Sequence, residues 1–169
     1  MKAKILTSSI VLIVLCAVAL FSCAEKEVPA LELDLQNLAE AIGEKIDLSE
    51  SIERSEQFYN ECGIDAGDTT QMIALKKIDI ANVGNAEVLL LIEATDEQKA
   101  ADIEGKLKVY KTNKLNELSN YQINPDYERQ WYIVDESEIM LEKQYVFWAV
   151  DAQGEEINAI IRDYIKSKK

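Results

Sequence analysis

The chain contains no histidine. That absence removes the commonest general base, the imidazole partner of serine and cysteine nucleophiles, and a principal nitrogen ligand for metals. A Ser-Lys pair is missing too, since no serine after residue 22 has a lysine three positions on. Cysteine is scarce: Cys16, Cys23 and Cys62 are too few and too scattered for a zinc site or a disulfide framework. The six glycines are dispersed, and none forms a loop that could cradle phosphate. Basic residues are outnumbered, 18 Lys and Arg against 31 Asp and Glu, for a formal charge of -13. Such a chain is repelled by nucleic acid and by anionic lipid headgroups, so nucleic acid is not an expected partner. These gaps argue against an enzyme and imply no cofactor.

The N-terminus carries what the rest lacks. Lys2 and Lys4 precede a run over residues 5–21 that is apolar apart from Thr7, Ser8 and Ser9. The run is short for a membrane span and fits a secretory signal. It ends in Leu20-Phe21-Ser22-Cys23, with an apolar residue three before the cysteine and a small one directly before it. This resembles the bacterial lipobox, in which the cysteine thiol receives diacylglycerol and cleavage makes that cysteine the first mature residue. Leu15 before Cys16 breaks the pattern there. The expected organisation is a lipoprotein signal peptide over 1–22, a lipid-attached tether over 23–31 and one α+β domain over 32–169. Acyl chains on Cys23, palmitate among them, would hold the protein on the extracytoplasmic face of the cell membrane, each buried methylene contributing about 0.8 kcal/mol. Loss of Lys2 and Lys4 takes the mature charge to -15.

Beyond the tether, Leu35, Leu38, Ala39, Ile42 and Ile46 recur at helical spacing behind Asp34 as N-cap. Asp47 and Glu50 have capping-box spacing for a second short helix, with Ile52, Phe58, Tyr59 and Cys62 inward and Gly63 at its C-terminal cap. Residues 69–80 and 86–94 read as two strands joined at Val83-Gly84-Asn85, an antiparallel hairpin. Val88, Leu90 and Ile92 should share one face of the second strand, Leu89 and Leu91 the other. Thr95 and Gln98 suggest a capping box opening a long helix with a stripe of Ala100, Ile103, Leu107, Tyr110, Leu115 and Leu118. Pro125 predicts a short helix to Trp131, then a strand over 133–141, a turn at 142–144 and a last strand over 145–150. Ile157, Ile160, Ile161, Tyr164 and Ile165 give a closing helix with a basic end. The predicted fold is α+β: a four-stranded, mostly antiparallel sheet in ββαββα order, helices packed on one face, preceded by one or two N-terminal helices.

Several stretches in this order, AIGEKIDLSE, Gly63-Ile64-Asp65, NAEVLLLIEATDEQKAADIEGKL, NYQINPDYE and KQYVFWAVD, resemble an uncharacterised family of bacterial lipoproteins, domain of unknown function 4358. The likeness covers most of residues 32–165 and rests on hydrophobicity and turns. It implies a Gram-positive source, membrane localisation and this fold, but no activity and no site residues. Lys143-Gln144 departs from the family pattern, which has Gly and then a small polar residue.

Among candidate sites, Cys23 for lipidation leads. Asp65-Ala66-Gly67-Asp68 has the start of a calcium loop, but position twelve is Lys76 rather than a bidentate Glu, so turn-forming acids are the better reading. Cys62 lacks a neighbouring base and reads as a buried hydrophobe. Trp131, Tyr132, Phe147 and Trp148 belong to the core unless Trp131 and Trp148 are exposed together as a ligand platform. The expected function is a membrane-anchored binding or interaction module with an unknown protein or small-molecule partner. Alternatives are a carboxylate-dependent hydrolase of wall or extracellular glycans and a structural accessory subunit of a membrane complex, betrayed by an exposed apolar patch.

Overall fold

Two segments, VLLLIEA and YVFWAV, are apolar at nearly every position and form the centre of the molecule. A strand apolar on both faces must be covered on both, and that requirement sets the architecture. The computed structural model describes residues 31–77, 85–120 and 125–169, and Leu31–Lys169 forms one compact unit. The leader, the tether and most of the predicted hairpin turn, Val83 and Gly84 included, lie outside the described residues.

In chain order come α1 (Leu35–Gly43), β1 (Ser51–Glu53), α2 (Ser55–Glu61), a 3-10 turn (Ala66–Asp68), β2 (Thr69–Lys77), β3 (Val88–Ala94), α3 (Glu97–Ser119), α4 (Pro125–Glu136), β4 (Ile139–Glu142), β5 (Tyr145–Val150) and α5 (Gly154–Ser167). The fold is α+β, with an antiparallel sheet ordered β1-β2-β3-β5-β4. β3 is central, pairing Leu90 with Ala74 on one side and with Trp148 on the other.

The sheet has five strands where four were predicted, and its helices lie on both faces. Leu89, Leu91, Tyr145, Phe147 and Ala149 pack against α1 and α5. Val88, Leu90, Ile92, Val146, Trp148 and Val150 pack against α2, α3 and α4. The single-face covering is corrected by the composition of β3 and β5, which leaves no polar side to face water.

Local departures have local causes. Asp47 accepts from Ser49 N at 2.9 Å in a turn and opens no helix; residues 51–53 instead pair with β2. Gly63 takes φ +64 just past α2, as a C-terminal glycine should. The cap of α3 is Asp96, whose carboxylate accepts from Lys99 N at 2.8 Å, while Thr95 N donates to Asp68 O. α4 runs on to Glu136, so residues 133–136 are helical rather than extended. Lys143 at the β4–β5 turn has φ 55, where glycine is unstrained. The α1, hairpin-strand, last-strand and closing-helix predictions match the structure.

Candidate functional site

Five of the described acids line an open groove of about 1100 Å³ between the α4–β4 connection and the start of α5. One of the lining acids, Asp151, belongs to an ion-pair cluster at three strand ends. Lys77 closes β2, Glu87 precedes β3 and Asp151 follows β5. Lys77 Nζ reaches Glu87 Oε2 at 3.0 Å and Asp151 Oδ2 at 2.9 Å. Burial alone would push the Lys77 ammonium down, but hydrogen bonds to Asp151 and Glu87 outweigh it and hold its pKa above the ordinary value. Asp151 Oδ1 accepts from Gln153 N at 2.8 Å, which fixes the turn into α5.

The opposite wall is keyed to the sheet. Ser137 Oγ accepts from the buried Trp148 Nε1 at 2.9 Å and donates to Val134 O at 2.6 Å. Lys111 Nζ donates to Asp135 O at 2.9 Å and Ser137 O at 2.5 Å, satisfying carbonyls at the end of α4. Burial lowers the Lys111 pKa, with Asp135 opposing. Arg162 of α5 pairs with Glu138 across the groove.

Five carboxylates line this space, Glu136, Glu138, Asp151, Glu155 and Glu156, against one guanidinium, Arg162. They are not equivalent. Glu138 and Asp151 are ion-paired. Glu155 and Glu156 lie in the first turn of α5, where the helix dipole favours negative charge. Glu136 lies in the last turn of α4, at the negative end of that helix, beside Asp135 and with no basic residue in the turn. It is exposed and has no ion pair among the described residues.

Asn158 and Ala149 also line the groove, and both are buried. Asn158 is 5% exposed, and among the described residues its Oδ1 is the one buried side-chain polar atom without a hydrogen-bond partner. A buried acceptor in that state costs about 1–3 kcal/mol. The sequence held the signal: Asn158 falls in the apolar stripe with Ile161 and Ile165, at i, i+3 and i+7, where a polar residue is out of place. Glu136, Glu138 and Arg162 carried no such signal, since acids and arginine on helix ends are ordinary.

Cys23 and Cys16 lie outside the described residues. Cys62 is a free, buried thiol whose pKa is pushed up to about 12, by burial first and Glu61 second, so it is no thiolate near neutrality. Asp65 caps Gly67 N within the 3-10 turn, and Asp68 pairs with Lys99 at 2.7 Å. Both acids are engaged in structure, and among the described residues no three acids or thiols are grouped to hold a metal ion. Trp148 and Phe147 are buried on opposite faces of β5, while Trp131 is half-buried and bonds Ser119. The aromatic platform therefore does not exist. Large exposed hydrophobics among the described residues are Val109, Tyr132 and Leu141, and no described helix is long and apolar enough to cross a membrane.

Comparison with protein-family models, curated proteins and solved structures found no match.

Proposed function

We propose that the protein is a lipid-anchored, non-enzymatic binding module on the extracytoplasmic face of the cell membrane, with the acidic groove as its ligand site. The reading keeps the chain with the lipoprotein family it resembles. The observation that carries it is Leu20-Phe21-Ser22-Cys23 at the end of a basic-headed apolar leader. The groove supports it: carboxylates and a buried amide can hold a ligand, and with no histidine in the chain no imidazole base activates a nucleophile there. Fractionation of cells carrying the parent and Cys23→Ala chains tests the anchor. The parent should sediment with membranes and release only with detergent, and the variant should leave the membrane fraction. Equal retention of both would defeat the proposal.

A further inference from the structure

The chain enters the domain at Leu31, and the end where it does so is fixed. Leu31 and Leu33 are buried in the core. Gln144 Nε2 donates to Leu31 O at 3.1 Å and Leu33 N donates to the Tyr145 hydroxyl at 2.9 Å, so the entry lies beside the β4–β5 turn. The C-terminus of α5 closes the same end: Tyr164 OH donates to Asp34 O at 3.2 Å, and Lys169 Nζ lies 2.8 Å from Glu142 Oε1. The groove is at the other end, where β5 finishes at Val150 and α5 starts at Gly154. We infer that the entry end, with the β4–β5 turn and the C-terminus of α5, is the surface that meets the lipid headgroups, and that the groove opens away from the bilayer. This rests on the reading of Cys23 as the lipid anchor and goes further by naming which surface faces the membrane.

Length and charge argue for this separately. From Cys23 to Leu31 the chain has eight peptide units, a reach of at most about 29 Å. The 14 residues of α5 extend about 21 Å. Turning the domain over would use that 21 Å of reach to pass α5 and leave about 8 Å, while the headgroup layer of one leaflet itself takes about 5–8 Å. With the entry end down, the whole reach is available. Lys143, Lys166, Lys168 and Lys169 are all exposed at the entry end. Lys168 Nζ lies 5.2 Å from the centre of the Tyr164 ring, and the other three pair with Glu97, Asp163 and Glu142. With Glu32, Asp34 and Glu93 nearby, the balance is four cations to six acids, against one arginine to five acids along the groove. An anionic headgroup layer therefore repels the groove more strongly than the entry end. Within a Debye length, about 8 Å at physiological salt, that difference orients the body.

The test places one fluorophore at either end of α5 in the chain purified from membranes, through Ala152→Cys beside the groove or Ser167→Cys at the entry end. Both positions are exposed, and neither substitution changes the charge. Cys62 is buried, so the parent serves as the labelling blank. The chains are reconstituted in phosphatidylcholine vesicles that carry a nitroxide on the headgroup. Quenching at residue 167 should exceed that at residue 152 by about threefold or more, and the gap should widen when phosphatidylglycerol is added. Equal quenching at the two positions, stronger quenching at 152, or a gap that closes with phosphatidylglycerol overturns the inference. Flotation with the vesicles is read on the same samples. A chain that floats yet is quenched equally at both positions defeats this inference and leaves the anchor standing. A chain that does not float defeats the anchor and this inference with it.

Discussion

Tyr145 ties the start of the domain to its central sheet. Its hydroxyl accepts from Leu33 N at 2.9 Å and lies 3.3 Å from Leu31 O and 3.2 Å from Glu93 Oε1. Tyr145→Phe leaves the Leu33 N–H unmatched, while Leu31 O keeps its bond from Gln144 Nε2 at 3.1 Å, so it should lower stability by about 1–3 kcal/mol in urea denaturation. An unchanged midpoint would show that water replaces the phenol. Lys77 makes a pH prediction. Its folded pKa lies above the ordinary 10.5, so its contribution is whole below that value and is lost as pH rises through the folded one. Melting temperature followed upward from pH 9 should fall more steeply for the parent than for Lys77→Met. Parallel curves would contradict the ion-pair account. At this scale the sequence was informative for Cys62, whose acidic and glycine neighbours offered no base. Asn158 was not picked out, because its place in the apolar stripe shows only once the helix phase is known.

At the scale of elements, legibility followed side-chain periodicity. The α1 and α5 stripes and the alternation along β3 were readable because packing alone decides them. β1 was not, because its pairing with β2 is a backbone matter and three residues carry no pattern. The start of α4 was placed correctly but its end was not. Ile133 and Val134 have strand propensity, yet Tyr127, Trp131 and Val134 repeat at i, i+4 and i+7 and turn the same face to the core. The N-terminus of α3 is a choice between adjacent caps. Asp96→Ala should cost about 1 kcal/mol, whereas Thr95→Ala should change stability by less than about 0.5 kcal/mol. The reverse order would restore the Thr95 capping box. At the β4–β5 turn, Lys143→Gly should raise stability by about 1 kcal/mol through relief of the positive φ. The pair lost with Glu97 is half-exposed and contributes little. A lower melting temperature would show that the turn is not strained.

At the scale of the whole molecule, the double-sided core explains why a short acidic chain needs no disulfide among its described residues. Phe147 and Trp148 are adjacent in sequence and anchor opposite halves of the core. Two faces of burial gave the helices their places, and the groove lies where the end of α4 and the start of α5 are drawn toward the same end of β5. The fold class was legible because strands and helices alternate in pairs. The groove was not, because it joins residues 13 or more positions apart that look like ordinary surface acids. The anchor is read from four residues, and one measurement bears on it most directly: mass spectrometry of the N-terminus of the protein purified from its own membranes. The account predicts that the chain begins at Cys23 and carries diacylglycerol on its thiol. A chain that still begins at Met1, or a Cys23 without lipid, would contradict it.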